Sequence, residues 1–201
     1  MNPDRRSALR LALAAAIVAA AGLAACAKPG APFALKSVAG LLPRLSFELT
    51  DQNGRPVTAR DYRGKVVMLY FGYTNCPDAC PTTLATLATA IRSLGPRSND
   101  VRVLFVTVDP HRDTAAVLKS YVSFFGPEFV GLRGDASELA AITRRYRVAY
   151  HLEPPGPDGT YAVDHSSAVF VFDRAGRARL LGSETDPAPR FASDLRRLLA
   201  G

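Results

Sequence analysis

Continuous apolar runs and helical patterns alternate along most of the chain. The stretches 65–71 (KVVMLYF) and 101–108 (VRVLFVTV) are almost wholly apolar, which is typical of strands buried on both faces of a sheet. Between them, residues 81–94 place leucines and an isoleucine at helical spacing, and Gly95-Pro96 ends that pattern. The middle of the chain therefore predicts a βαβ unit.

The flanking segments predict further helices and antiparallel strands. Residues 45–50 alternate apolar and polar positions and run into the turn Asp51–Gly54, which indicates a hairpin at the start of the domain. Asp135 and Glu138 have the spacing of a capping box at a helix start. The other predicted elements are a helix from Asp113-Thr114, a strand at 129–132, a loop at 150–161, a hairpin of 168–172 with 177–182, and a last helix from Asp186-Pro187.

This order of elements predicts an α/β protein and fits a thioredoxin-like fold, but periodicity alone leaves other α/β folds open, and the cysteines described below decide among them. In that fold a central mixed β-sheet is flanked by helices, here with an added N-terminal β-hairpin. The folded domain is expected to span residues 44–201, with no internal repeat.

The first 43 residues have a different character. Residues 1–25 combine a basic start, with Arg5, Arg6 and Arg10, and an uncharged apolar stretch, as in an export signal. The stretch ends in Leu-Ala-Ala before Cys26, which resembles a lipobox and predicts a lipidated Cys26. An uncleaved membrane anchor is the alternative. Residues 26–43 are then expected to form a tether, and the domain is expected to lie in the cell envelope, on the periplasmic, extracytoplasmic face of a membrane.

Composition excludes two classes of protein. The formal net charge is +7, but Lys and Arg never exceed two in a row, so no nucleic-acid partner is expected. The 3 cysteines are too few for a disulfide-stapled scaffold. Each cysteine must therefore be explained by its position.

Cys76 and Cys80 lie between the strand 65–71 and the following helix. Unpaired N–H groups at a helix N-terminus stabilise negative charge, so both thiols are expected to have a lowered pKa. A thiolate is a redox nucleophile and also a soft metal ligand. A structural disulfide between Cys76 and Cys80 is an alternative interpretation. It would stabilise the fold little, because closing so short a loop removes little entropy from the unfolded chain. The spacing has one residue more than the Cys-x-x-Cys of dithiol oxidoreductases.

His165 precedes the strand 168–172, whose start lies beside the cysteine loop in a thioredoxin-like fold. Two cysteines and one histidine form a soft set of three ligands, which fits copper, both Cu(I) and Cu(II), better than Mg²⁺ or Ca²⁺. A lone histidine is also common as a structural residue. His111 and His151 are expected to be exposed. Asp78 is expected to cap the helix, and Asp164 could orient the imidazole of His165.

Three sequence blocks, taken in order, resemble the Sco/SenC family of membrane-tethered copper chaperones for cytochrome c oxidase assembly. They are GKVVMLYFGYTNCPDACPTTL, VTVDPHRDTAAVLKSYVSFFGPEFVGLRG and YAVDHSSAVFVFD, within residues 61–173. The resemblance implies that Cys76, Cys80 and His165 bind copper. It also implies that the domain delivers copper to the oxidase subunit with a binuclear copper site, or keeps the cysteines of that subunit reduced. Other copper carriers or thiol reductases are further possible partners. The alternative is an extracytoplasmic thiol-disulfide oxidoreductase, with Cys76 and Cys80 as its redox-active dithiol and no copper delivery.

Overall fold

The predicted βαβ unit forms the centre of an eight-stranded sheet in the computed structural model, which describes residues 32–157 and 159–201. The strands of the described residues are β1 (Lys36–Ser37), β2 (Glu48–Asp51), β3 (Pro56–Thr58), β4 (Val66–Gly72), β5 (Val101–Thr107), β6 (Phe129–Arg133), β7 (Tyr150–Leu152), β8 (Val163–His165), β9 (Val169–Phe172) and β10 (Ala178–Gly182). The α-helices are α1 (Ala79–Arg92), α2 (Ala115–Ser123), α3 (Ala136–Tyr146) and α4 (Ala188–Ala200).

The sheet is mixed, as predicted. Its strand order is β1-β10-β9-β4-β5-β6-β2-β3. β4, β5 and β6 are parallel neighbours, whereas β9 runs antiparallel to β4 and β2 pairs antiparallel with both β6 and β3. All seven residues of β4 are buried, because the strand lies in the middle of a sheet that helices cover.

Local sequence signals place the helices correctly. The capping box of Asp135 and Glu138 begins α3, and the hydroxyl of Thr114 accepts a hydrogen bond from the Val117 N–H at the start of α2. The first helix begins at Ala79, slightly before the predicted residue 81. Pro81 therefore lies in the first turn, where its missing N–H leaves no helical hydrogen bond unmade.

The folded unit begins earlier than the predicted residue 44. Phe33–Gly201 forms one compact unit, in which β1 pairs with β10 and the side chains of Leu35 and Val38 are buried. The carboxylate of Asp194 on α4 accepts hydrogen bonds from the N–H groups of Ala34 and Leu35. Part of the segment predicted to be a tether is thus an edge strand of the sheet. The predicted signal peptide and the predicted lipidation of Cys26 lie outside the described residues.

The segment predicted as a loop at 150–161 contains a strand. β7 pairs with β8 in a separate two-stranded ribbon, in which Tyr150 is opposite His165. Among the described residues, no helix has the length and apolar character needed to cross a membrane.

Candidate metal centre

Both cysteines lie where β4 passes into α1. Cys80 is in the first turn of the helix and its side chain is fully buried, whereas Cys76 lies in the preceding loop and is half-buried. The Cys80 N–H donates a hydrogen bond to Cys76 Sγ over 3.4 Å. The two cysteines are free thiols in the structure.

His165 brings an imidazole against the inner thiol. Its Nε2 lies 3.2 Å from Cys80 Sγ, and its Nδ1 lies 3.1 Å from the carbonyl oxygen of Ser166. A carbonyl oxygen only accepts hydrogen bonds, so Nδ1 carries a proton, and in the neutral ring Nε2 then presents its lone pair to the sulfur. The ring is also held by Tyr73, which meets it edge-on with ring centroids 5.9 Å apart.

The three predicted ligands therefore converge. Cys76 Sγ, Cys80 Sγ and a ring nitrogen of His165 all lie within 4.8 Å of one another. Two sulfurs and one imidazole nitrogen form a soft donor set of low coordination number, and the half-buried position of Cys76 leaves one side open to an incoming molecule.

The prediction of a lowered thiol pKa is wrong for Cys80. Burial of its side chain raises the pKa to about 12, because desolvation of a thiolate outweighs the hydrogen bonds that favour it. Sequence reasoning had placed the thiol near a helix N-terminus but could not show how deeply the sheet and helix enclose it.

A buried carboxylate fixes the cysteine loop. Asp113, fully buried after β5, accepts hydrogen bonds from the Thr74 N–H at 3.0 Å and the Thr74 hydroxyl at 2.6 Å. It also accepts one from the Thr107 hydroxyl at 2.6 Å. Because Thr74 lies two residues before Cys76, these bonds tie the loop to the end of the neighbouring strand.

A second group ties the histidine segment to the same place. The Tyr161 hydroxyl donates to Asp109 Oδ1 at 2.9 Å, and Arg112 Nη1 donates to the Tyr161 carbonyl oxygen at 2.9 Å. The Arg112 guanidinium also lies 3.6 Å from the centroid of the Tyr161 ring and forms an ion pair with Asp109. The segment 109–113 therefore contacts both parts of the chain that supply ligands.

Sequence reasoning missed these supporting residues. A signal was present, since Asp109 and Asp113 follow a buried strand that is the parallel neighbour of β4. The carboxyl ends of parallel strands meet at one edge of a sheet, so charged residues there could have been placed beside the cysteine loop.

The other polar residues that the sequence singled out lie away from the ligand atoms or have other partners. His111 and His151 are exposed, as expected. Asp78 occupies the N-cap position, but its carboxylate accepts from the Thr82 hydroxyl at 3.1 Å and caps no backbone N–H. Asp164 is exposed, and the Ser166 carbonyl oxygen, not Asp164, orients the His165 ring.

The difference in burial predicts selective modification. We expect iodoacetamide at neutral pH to label Cys76 in the reduced, metal-free protein and to leave Cys80 almost unlabelled, because Cys80 is inaccessible and its pKa is about 12. Peptide mapping by mass spectrometry measures the two sites, and labelling in denaturant, where both react, is the control. Equal labelling of both thiols in the native protein would contradict this assignment.

Gly72, the last residue of β4, has no room for a side chain. A Cβ there would lie 2.8 Å from Cys80 Sγ and 2.8 Å from a ring carbon of Phe105. We expect Gly72→Ala to lower the free energy of unfolding by about 1–3 kcal/mol and to weaken metal binding by displacing Cys80. Gly131→Ala is the matched control, since its Cβ would crowd Leu118 on α2 and neither cysteine. Denaturant titration of both variants measures the loss of stability from crowding, and metal titration measures the effect of displacing Cys80. Unchanged metal affinity in Gly72→Ala would refute the expected displacement.

Comparison with known proteins identifies the family of this chain. A sequence model of the SCO1/SenC family matches residues 42–200. The bovine protein SCO2 homolog, mitochondrial, is 41% identical over 162 residues, which cover 76% of this chain and 61% of that protein. Matched regions make up 61–64% of such curated relatives, so the chain corresponds to less than two thirds of their length.

Solved structures of Sco proteins have a similar fold. The structure of Bradyrhizobium japonicum ScoI with copper bound is 40% identical, with a TM-score of 0.71 over 78% of this chain and 99% of that one. The structure of yeast Sco1 with copper bound is 33% identical, with a TM-score of 0.69 over 77% and 88% of the two chains. With its mixed sheet, its cysteine pair and the family match across nearly the whole folded unit, the chain belongs to the SCO1/SenC family.

Proposed function

We propose that this protein is a membrane-anchored copper chaperone. It binds copper through Cys76, Cys80 and His165 and delivers it to the binuclear copper site of cytochrome c oxidase. The observation that carries the proposal is the convergence of two thiol sulfurs and an imidazole nitrogen within 4.8 Å, with Nε2 of His165 3.2 Å from Cys80 Sγ. Two relatives of similar fold have been solved with copper bound.

The donor chemistry favours copper over the other common metals. Thiolate and imidazole suit Cu(I) and Cu(II), whereas Mg²⁺ and Ca²⁺ require several oxygen ligands. Among the described residues, no fourth Cys, His, Asp or Glu joins the group, as a closed structural zinc site would require. Three ligands with one open side therefore suit a metal that is held and then released.

Delivery proceeds by ligand exchange. Cys76 is the accessible ligand, so an acceptor thiolate approaches copper from its side and forms a new Cu–S bond while one of the original bonds breaks. Repetition of the exchange moves the ion to the acceptor without any change in its charge, and the sulfurs of Cys76 and Cys80 take up the protons that the acceptor thiols released.

The anchor and the location belong to the same proposal. The apolar leader and the lipobox-like residues before Cys26 support a lipid anchor on the periplasmic face of the membrane. That position suits an oxidase client, whose copper-site subunit is itself in a membrane.

The free dithiol also supports a second candidate function, thiol-disulfide reduction. The Cys76 thiolate would attack a client disulfide and release one client thiolate, and Cys80 would then attack the Cys76 sulfur and release the second. The client would gain two electrons and Cys76 and Cys80 would become a disulfide. Accessibility of Cys76 and burial of Cys80 suit these two roles.

A transfer experiment tests the proposal. The chain from Ala27 onward, loaded with Cu(I), is mixed with the soluble copper-binding domain of an oxidase subunit whose cysteines are reduced, and copper is measured in each protein after separation. We expect most of the copper to move to the oxidase domain, and the exposed-histidine variant His151→Ala to transfer equally well. In a parallel sample, the metal-free protein is mixed with the same oxidase domain in its disulfide form. Retention of copper in the first sample, together with reduction of the disulfide in the second, would favour the reductase instead. Failure of both reactions would refute both functions.

A further inference from the structure

The end of the domain opposite the metal centre carries a cluster of arginines. A pocket of about 270 Å³ is lined there by Arg174, Arg177, Arg179 and Arg197 together with Phe33. We call these four arginines the basic end. Arg174 and Arg177 belong to the turn between β9 and β10, and Arg197 lies in the last turn of α4.

Positive charge is in excess in this pocket. Asp173, the acidic side chain in its lining, pairs with Arg177 at 2.7 Å and with Arg179 at 3.2 Å. Arg174 contacts Asp100 outside the pocket, in a pair of which both members are exposed, and such pairs are weak. The lining holds four arginines against the Asp173 carboxylate and, if it is counted, a carboxylate at Gly201, so its net charge is +2. Arg177 uses Nε on Asp173 while 62% of its side chain is exposed, so its guanidinium can also contact an external anion.

Sheet register places the basic end far from the metal centre. Phe172, which precedes the arginine-rich turn, pairs with Val67 at the start of β4. The cysteine loop follows Gly72 at the other end of the same strand. Val67 and Gly72 are five residue steps of extended chain apart, which is about 17 Å.

The length of the chain limits the distance between the basic end and the proposed lipidation site. Phe33 lines the pocket and packs 4.1 Å from the Arg197 guanidinium, measured to the ring centroid. From the proposed lipidation site at Cys26, residues 27–33 can extend at most about 25 Å. A lipid on Cys26 would therefore keep Phe33, and with it the basic end, within about 25 Å of the headgroups.

We propose that the basic end binds the anionic lipid headgroups of the membrane to which the chain is anchored, and so directs the metal centre away from that surface. Guanidinium groups form paired hydrogen bonds to phosphate, and several of them near an anionic surface add their attraction. The inference rests on the proposed anchoring of the chain but not on copper binding.

Vesicle binding by the chain from Ala27 onward, which lacks the lipidation site, tests this inference. We expect the protein to sediment with vesicles of phosphatidylglycerol and phosphatidylcholine and to dissociate from them at high salt. It should not bind vesicles of phosphatidylcholine alone. The double variant Arg174→Gln with Arg197→Gln should bind the anionic vesicles roughly tenfold to thirtyfold more weakly. The control double variant, Lys119→Gln with Arg190→Gln, removes the same charge from the middle of α2 and the opposite end of α4 and should bind like the parent.

Two further measurements separate the possible outcomes. Thermal unfolding of both double variants checks that they fold, and copper titration of the same samples shows whether metal binding stands or fails independently of lipid binding. The rate of Cys76 alkylation should be the same with and without anionic vesicles, since the metal end is directed away from them. Four results would each overturn the inference. The two double variants could bind anionic vesicles equally well, or the protein could bind neutral vesicles. The protein could bind free inorganic phosphate but no vesicles, or vesicles could protect Cys76 from alkylation.

Discussion

Replacement of His165 by alanine should weaken Cu(II) binding by about 100-fold or more, since even residues that only orient a metal ligand change affinity by about 10–100-fold. The variant removes the one nitrogen donor in the group, while the two sulfurs that suit Cu(I) remain. Titration of the reduced protein with Cu(II), followed by the thiolate-to-copper absorption band and by competition with a chelator, measures the effect.

The control for this variant is His151→Ala. His151 lies on β7 of the same ribbon but is exposed, opposite Asp164, so its loss should leave copper affinity unchanged. If His165→Ala bound Cu(II) as tightly as the parent, the imidazole would not be a ligand, and the copper-chaperone proposal would lose its central observation.

Replacement of Asp113 by alanine should have the largest effect on stability. The substitution leaves three donors without their acceptor, namely the Thr74 N–H, the Thr74 hydroxyl and the Thr107 hydroxyl. Hydrogen bonds to a charged, fully buried group are the strong ones, and we expect the free energy of unfolding to fall by about 3–4 kcal/mol. Denaturant unfolding monitored by circular dichroism measures it.

Copper affinity should fall with Asp113→Ala as well, because Thr74 no longer fixes the loop that carries Cys76. Asp78→Ala is the comparison, since Asp78 lies between the two cysteines but is exposed, and its carboxylate accepts a hydrogen bond from the Thr82 hydroxyl. A folded Asp113→Ala protein with parental stability and copper affinity would show that the loop keeps its shape without this carboxylate.

Most of the sheet could be predicted because its signals are local. β4, β5 and β9 are nearly continuous apolar runs, and the capping box of α3 lies within four residues. The ribbon of β7 and β8 was missed for the opposite reason. Its strands are three residues each, one of them is largely exposed, and the Pro- and Gly-containing residues between them indicated only a loop.

The site shows the same division. Cys76 and Cys80 were identified from their position before a helix, and His165 from its position before a strand together with the family resemblance. The charge state of Cys80 was predicted wrongly, because burial is a property of the assembled sheet and helix and not of the loop sequence.

The sequence alone determined the chemical identity of the donors, the order of the strands and helices other than β1, β7 and β8, and the apolar stretch before Cys26, because residue type and periodicity are properties of the chain itself. Only the tertiary structure decided that the imidazole meets the inner sulfur, that Asp109, Arg112 and Asp113 hold both ligand segments, and that the arginines gather at the opposite end. Those relations join residues distant in sequence, and only the packing and pairing of the strands bring them into contact.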